Sequence, residues 1–304
     1  MNNYTTIVKV GTGVVSNADR TKLDRRTIRD IGADISALEG RESNKETIRR
    51  KDSRRLKQGG SIILVSSGAI TAGIERLRLS RDEVMKSVRM QQTAAMVGNT
   101  VLFKLWEDAT GIVVGHDLLT HNDLSDQEHW DNLSGVIANN LNWGVLNVFN
   151  EADARSNEEL QRVIEMMGHE HKRFGDNDQL AAHLAVNTHR FLSKNEYVQQ
   201  YTQAIFLTDT NGVYEDVSRA DSKIDTIRQD DIDEVILRCV STDDIEGNGG
   251  MLSKLLAAKE LTAAGIDVSI GAGKTRHALM HLHDYTDGFG TQILANDGFA
   301  KHLY

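Results

Sequence analysis

The 304-residue chain contains no proline. Average usage is roughly 5%, so about 15 prolines are expected, and the chance of none is on the order of one in a few million. No X–Pro bond can therefore slow folding, and every turn must be made without a ring-fixed φ. Cysteine is nearly missing as well. The single Cys239 cannot close an internal disulfide, which excludes a disulfide-stapled scaffold and points to a reducing, cytoplasmic setting. No apolar run approaches the 18 residues of a membrane-spanning helix. The opening MNNYTTIVKVG has neither a basic n-region nor an apolar h-region, so no secretory leader and no membrane partner are expected. Positive charge is in deficit, 35 Lys and Arg against 44 Asp and Glu, for a net charge of −9. That balance argues against a general nucleic-acid binder, which carries a basic stripe, but leaves room for a phosphate ligand, which needs only local positive charge.

Hydrophobic residues make up 39% of the chain and charged residues 26%, ordinary for a globular protein. The length allows one large α/β domain or two small ones and needs no staples. Strand-like runs are predicted at 5–10, 61–66, 112–114, 145–149, 204–208 and 266–270, and helical patterns at 18–38, 69–78, 82–109, 125–142, 177–193 and 250–264. Strands spaced by amphipathic helices predict a mostly parallel sheet with helices on both faces. Two segments break this rhythm: the charged stretch 40–58, read as a solvated excursion or insertion, and the long polar stretch 154–175. No linker divides the chain, so one domain with two lobes around one sheet is expected.

In open α/β sheets, ligands sit beyond the carboxyl ends of the strands. After the first strand comes Lys9-Val10-Gly11-Thr12-Gly13, and after the second Ser66-Ser67-Gly68-Ala69. Such glycine-containing turns present backbone N–H groups to an anion, and Lys9 adds a point charge. Asn150-Glu151-Ala152-Asp153 and Gly175-Asp176-Asn177-Asp178 are acidic and amide-rich. Each could be a helix cap, hold an amino group and a carboxylate, or organise Mg²⁺. Thr208-Asp209 ends another strand before Asn211-Gly212-Val213-Tyr214, and Gly247-Asn248-Gly249-Gly250-Met251 feeds a helix carrying Lys254, an arrangement that suits a polyphosphate. Gly271-Ala272-Gly273-Lys274-Thr275 is a false P-loop, because the required glycine five positions before Gly273 is Val268. His169, His171, His277, His281 and His283 lack a cysteine partner and read as surface residues rather than a zinc site.

In order, IVKVGTGVV (7–15), ILVSSGAITAG (63–73), NEAD (150–153), FGDNDQLAA (174–182), LTDTNGVY (207–214) and GNGGMLSKLLAAKELTAAGI (247–266) resemble the amino acid kinase family, in its branch that phosphorylates glutamate. The resemblance spans most of the chain. It implies an open αβα sandwich whose amino-acid half is about 1–195 and whose ATP half is about 196–304. The implied reaction is transfer of phosphate from ATP to the side-chain carboxylate of L-glutamate, the committed step toward proline. Lys9 and Lys254 resemble the lysines that neutralise the transferring group, and Asp176 the aspartate that orients them. Ser67, Gly68, Ala69, Asn150, Asp153, Asn177 and Asp178 match substrate positions. Gly11, Thr208, Asp209, Tyr214, Gly249, Gly250 and Met251 match nucleotide positions, with Lys9 and Lys254 shared. No protein metal ligand is assigned, since Mg²⁺ would be held mainly by the ATP phosphates. A homo-oligomer is favoured, and proline is a candidate feedback inhibitor. The chemistry agrees with these roles: a glutamate carboxylate is already ionised at pH 7, so alignment and charge stabilisation suffice without a general base.

The chain departs from the family in places. Ala152 replaces an asparagine, the 154–175 stretch is long, and the PUA-type domain that many members carry is not expected in these 304 residues. Asn147 and Ser218 stand where members commonly have proline. Another enzyme of this family, acting on acetylglutamate, aspartate or a nucleoside monophosphate, and a non-catalytic ligand-binding protein of the same fold are the competing readings. Natural avoidance of proline by an enzyme that makes it, and deliberate removal, both fit the composition.

Overall fold

A computed structural model describes residues 4–40, 60–154, 176–194, 201–239 and 250–296. The charged stretch 40–58, expected to be an insertion, and the long polar stretch 154–175 lie almost wholly outside these residues. Among the described residues ten strands form, β1 (Tyr4–Val10), β2 (Ser61–Ser66), β3 (Val114–Leu119), β4 (Leu146–Glu151), β5 (Tyr201–Thr208), β6 (Val213–Tyr214), β7 (Lys223–Ile224), β8 (Thr226–Arg228), β9 (Asp267–Ala272) and β10 (Thr291–Leu294). The helices are α1 (Thr12–Val15), α2 (Arg25–Leu38), α3 (Ala69–Leu77), α4 (Arg81–Met85), α5 (Val88–Thr110), α6 (His121–Ser125), α7 (Gln127–Trp143), α8 (Asp176–Lys194), α9 (Ile232–Cys239), α10 (Met251–Ala263) and α11 (Ala278–His283).

Eight strands make one sheet in the order β3-β4-β2-β1-β5-β9-β10-β8, and β6 and β7 form a separate hairpin. All neighbours in the large sheet are parallel except β9 and β10. The expected mostly parallel sheet between helical layers is therefore what the chain forms. Alternation along the strands explains the two layers. Ile7, Ile63, Val65 and Phe206 point into one core with α8 and α10 residues such as Leu184 and Leu255. Val8, Val10, Leu64 and Leu207 point into the other with Ile31, Trp106 and Leu279. Strands β1 to β4 occupy one side of the sheet and β5, β9, β10 and β8 the other, meeting where β1 pairs with β5.

Several expected boundaries move. The helix expected from residue 18 starts at Arg25, because Asp24 accepts hydrogen bonds from the Arg26 and Thr27 amides. Residues 17–22 form a turn instead, in which Asn17 Oδ1 accepts from the Thr21 and Lys22 amides, each at 3.0 Å. Short polar side chains compete with the helix in this way. The helix expected over 82–109 divides at Lys86 and Ser87, where Ser87 caps α5. The third strand starts at 114 and runs to 119, beyond the expected 112–114.

Helices α3 and α5 cross at two glycines. A Cβ on Gly73 would lie 1.9 Å from the Ala94 carbonyl oxygen, and one on Gly98 1.8 Å from that of Ala69. Only hydrogen at both positions lets the backbones approach this closely. This crossing seats the start of α3, which follows the Gly68 turn, against α5.

Candidate active site

The carboxyl ends of β1, β2, β4 and β5 open onto a cleft of about 230 Å³. It lies where β1 leads to β2 on one side and neighbours β5 on the other, the kind of crevice in which doubly wound sheets bind ligands. Its floor is an ion-pair cluster. Lys9, in phase with Thr5 and Ile7 on β1, falls on the sheet face covered by α8 and α10. Asp178 lies in the first turn of α8, and Lys254 in the first turn of α10. Lys9 Nζ stands 2.5 Å from Asp178 Oδ1, and Lys254 Nζ 3.2 Å from Asp178 Oδ2. All three side chains are buried, at 6%, 0% and 4% exposure.

The carboxylate that joins the two lysines is therefore Asp178, where the resemblance assigned that position to Asp176 and gave Asp178 to substrate. Residues two apart on a helix are about 200° apart around its axis, so the two carboxylates cannot serve one face. The Asp176 side chain lies outside the described part of the structure.

Burial by itself would raise the Asp178 pKa, but the charges of Lys9 and Lys254 outweigh it and hold the carboxyl below its usual range. Lys254 is pushed down from the usual lysine value, first by burial and then by Lys9, with Asp178 and Asp209 opposing. Two ammonium groups share one buried carboxylate, which leaves this floor short of negative charge.

Amide groups line the next part of the cleft. Asn177 Nδ2 donates to Ser67 Oγ and to Asn150 Oδ1, both at 3.0 Å, and Asn150 Nδ2 donates to Asn99 Oδ1 at 2.8 Å. Asn177 Oδ1 is buried without a hydrogen-bond partner among the described residues, leaving an acceptor for a ligand. Asp153 also lines the cleft, and its carbonyl accepts from Gln92 Nε2 at 3.2 Å. Ala152 is 2% exposed and is not among the residues that line the cleft.

The backbone at the mouth of β1 and β2 is preformed. Gly11 N donates to Leu207 O at 3.1 Å, and Ser67 N donates to Val10 O at 3.0 Å. Gly68 has φ +109°, which a side chain would strain, and a Cβ there would lie 2.7 Å from Val15 Cγ2. Gly13 leaves the space that the Asp209 carboxylate occupies, because a Cβ would come within 2.0 Å of it.

The structure thus brings Lys9, Gly11, Ser67, Gly68, Ala69, Asn150, Asp153, Asn177, Thr208, Asp209 and Lys254 to one cleft, with Asp178 beneath its lysines. Tyr214, Gly250 and Met251 do not line it: Tyr214 pairs in the β6–β7 hairpin, Gly250 precedes α10, and Met251 packs on the core. Gly249 lies outside the described residues. Lys274, from the false P-loop, donates to the Ser16 carbonyl at 2.8 Å. Two of the histidines expected at the surface have structural contacts. His277 Nδ1 is 3.0 Å from the buried Asp34, and the His283 ring sits 4.7 Å from Tyr4, only 12% exposed. Cleft residues that none of the expected site segments contains are Arg20, Ile74, Arg81 and Met85, and Asn99 stands behind Asn150. An asparagine in the apolar stretch of α5 is the one signal that could have revealed Asn99. Nothing local marks Arg20 and Arg81.

Residues 5–272 match the family model described as Amino acid kinase family. The chain belongs to the amino acid kinase family. Within it, a glutamate 5-kinase from Syntrophus aciditrophicus (strain SB) is 29% identical over 296 residues, covering 95% of this chain and 64% of that protein. One from Synechococcus sp. (strain CC9605) is 34% identical over 231 residues, covering 72% and 56%. One from Cupriavidus metallidurans is 30% identical over 305 residues, covering 96% and 68%. The chain thus spans 56% to 68% of the length of these relatives. Among solved structures, carbamate kinase from Giardia lamblia bound to AMP-PNP aligns with TM-score 0.56 at 13% identity, covering 96% of this chain and 98% of that one. UMP kinase from Ureaplasma parvum aligns with TM-score 0.53 at 12% identity, covering 97% and 100%. These likenesses establish the fold of an amino acid kinase.

Proposed function

We propose that this chain is a glutamate 5-kinase, transferring the γ-phosphoryl group of ATP to the side-chain carboxylate of L-glutamate, the first step of proline biosynthesis. The carrying observation is the Lys9–Asp178–Lys254 cluster at the floor of a cleft whose other wall is Ser67, Asn150, Asn177 and Asp153. A new O–P bond forms from the substrate carboxylate while the bond to the β-phosphate oxygen breaks, and ADP departs with the electron pair. The nucleophile is already anionic, so no proton has to be removed. Two anions must meet, and Lys9 and Lys254 offset that repulsion while Asp178 holds them in place. With the Gly11 N–H held by the Leu207 carbonyl, the Thr12–Gly13 and Gly68–Ala69 segments are left to offer backbone N–H groups to the reacting oxygens. Asp153 and the free Asn177 Oδ1 accept from the substrate ammonium.

The two lysines held by Asp178 and the two glycine turns fit a polyphosphate. Mg²⁺ would arrive on the phosphates, with Asp209 the carboxylate on the β5 side of the cleft. The names of the relatives support the choice of glutamate.

The test is ADP release with L-glutamate beside N-acetylglutamate, aspartate and nucleoside monophosphates, with and without proline. Release that depends on glutamate alone is the expected result. Turnover of a rival substrate instead, or of none, overturns the reading. Inhibition by proline would add feedback control.

A further inference from the structure

We infer that Arg20 and Arg81 form the subsite for the α-carboxylate of the amino acid substrate. The inference rests on the glutamate reading above and follows from matching charges. Glutamate carries a side-chain carboxylate, an ammonium and an α-carboxylate. Four cationic side chains line the cleft among the described residues: Lys9, Lys254, Arg20 and Arg81. Lys9 and Lys254 are bound to Asp178 at the floor, where phosphate and the side-chain carboxylate must meet. The acidic lining residues Glu151 and Asp153 suit the ammonium. One substrate charge and two cations remain, and they have opposite sign.

The placement of the arginines agrees. Both line the main cleft and also a second depression bounded by Leu79, Ser80 and Asp82, so they stand where the two spaces join, at the outer end. Neither guanidinium has a hydrogen-bond or ion-pair partner among the described residues, although arginine offers five donors in a fork that matches a carboxylate. Their backbones are held. Arg20 sits at φ +53° in the turn closed by Asn17, and its N–H donates to the Asn17 carbonyl at 3.0 Å. That turn is tied to α3 through Leu23 N, which donates to Glu75 Oε2 at 2.9 Å. Arg81 is the first residue of α4, a segment separate from the Asn17 turn. Ile70, Ile74 and Met85 line the same end and give the substrate methylenes an apolar wall. Arginines on two separate segments can grip a carboxylate only when it is presented between them, which selects for an amino acid of the right length.

The experiment compares L-glutamate with 4-aminobutyrate, which keeps the reacting carboxylate and the amine but lacks the α-carboxylate. A charge-assisted hydrogen bond contributes about 1.5–3 kcal/mol, or roughly 10- to 100-fold. In Arg81→Gln and Arg20→Gln, KM for glutamate is expected to rise by about that factor, with kcat and KM for ATP held within about twofold. The preference for glutamate over 4-aminobutyrate should fall by the same factor, and Arg81→Lys should recover part of it. A general loss of folding would not produce that selective change. If the wild-type chain turns over glutamate and both variants keep its KM and its preference, the arginine subsite is wrong and the glutamate reading stands. If the wild-type chain does not turn over glutamate, both fall together.

Discussion

At the scale of single residues, the site depends on one carboxylate shared by two ammonium groups. Asp178→Asn would leave Lys9 and Lys254 facing each other in a buried place. Its turnover is expected to drop by about 10²–10³-fold, the range seen when one charge-stabilising group is lost. Breaking a buried ion pair should also cost about 3–5 kcal/mol of stability in denaturant melts. Asp176→Asn should do much less to both, and the reverse ranking would return the organising role to Asp176. The sign of the pH effect follows from the direction of each shift. The Asp178 pKa lies below its unfolded value of about 3.9, so its stabilising contribution is complete above that pH and is lost as pH falls through the folded value. Lys254 is shifted in the same direction, with the opposite consequence for charge. Its folded pKa lies below the usual value of about 10.4, so its charge disappears at lower pH than for a free lysine. The profile of kcat/KM for ATP, which reports the free enzyme, should therefore fall on an alkaline limb below about pH 10.4. Lys254→Arg should move that limb upward, and an unmoved limb would detach it from Lys254.

At the scale of elements, the α3–α5 crossing carries the Gly68–Ala69 turn into position. Gly98→Ala keeps a helical backbone, so any loss comes from the methyl group that would meet the Ala69 carbonyl. Overpacking of this kind costs about 1–3 kcal/mol. A lowered melting temperature is expected together with a raised KM for glutamate, because Ala69 lines the cleft. A methyl group on Gly135 in α7 would meet nothing within 4 Å among the described residues. Gly135→Ala should therefore stabilise by about 0.5–1 kcal/mol through helix propensity alone. Equal effects at the two positions would contradict the close-approach account.

At the scale of the whole molecule, the missing prolines have a kinetic consequence. Refolding from denaturant should lack the phase of tens to hundreds of seconds that X–Pro isomerisation produces, and added prolyl isomerase should change nothing. An isomerase-sensitive phase would contradict this. Loss of proline also leaves more unfolded-state entropy to overcome. Asn147, where the resemblance leads one to expect proline, sits without a ring-fixed φ in β4 between β2 and β3 and accepts from Asn140 Nδ2 at 2.8 Å. On the proline-synthesis reading, yield in a proline-starved cell should fall less than for a proline-containing relative. An equal fall would remove that explanation.

The sequence by itself determined the class of fold and most of the site. Short apolar runs such as TTIVKV and SIILVS, rich in β-branched residues, read as central strands, and in a parallel sheet their carboxyl ends lie on one edge. That shared edge is why Lys9, Ser67, Asn150 and Asn177 were legible as one site before their distances were known. Tertiary structure decided the rest. Helix phase, set by how α8 packs on the sheet, chose Asp178 over Asp176 for the lysines, and sequence spacing around GDND cannot supply that phase. Arg20 and Arg81 stand 61 positions apart on a turn and a short helix, with no motif to join them. Only the folding of β1, β2 and α3 brings them to one cleft mouth, because charge complementarity across a cavity is a property of positions in space.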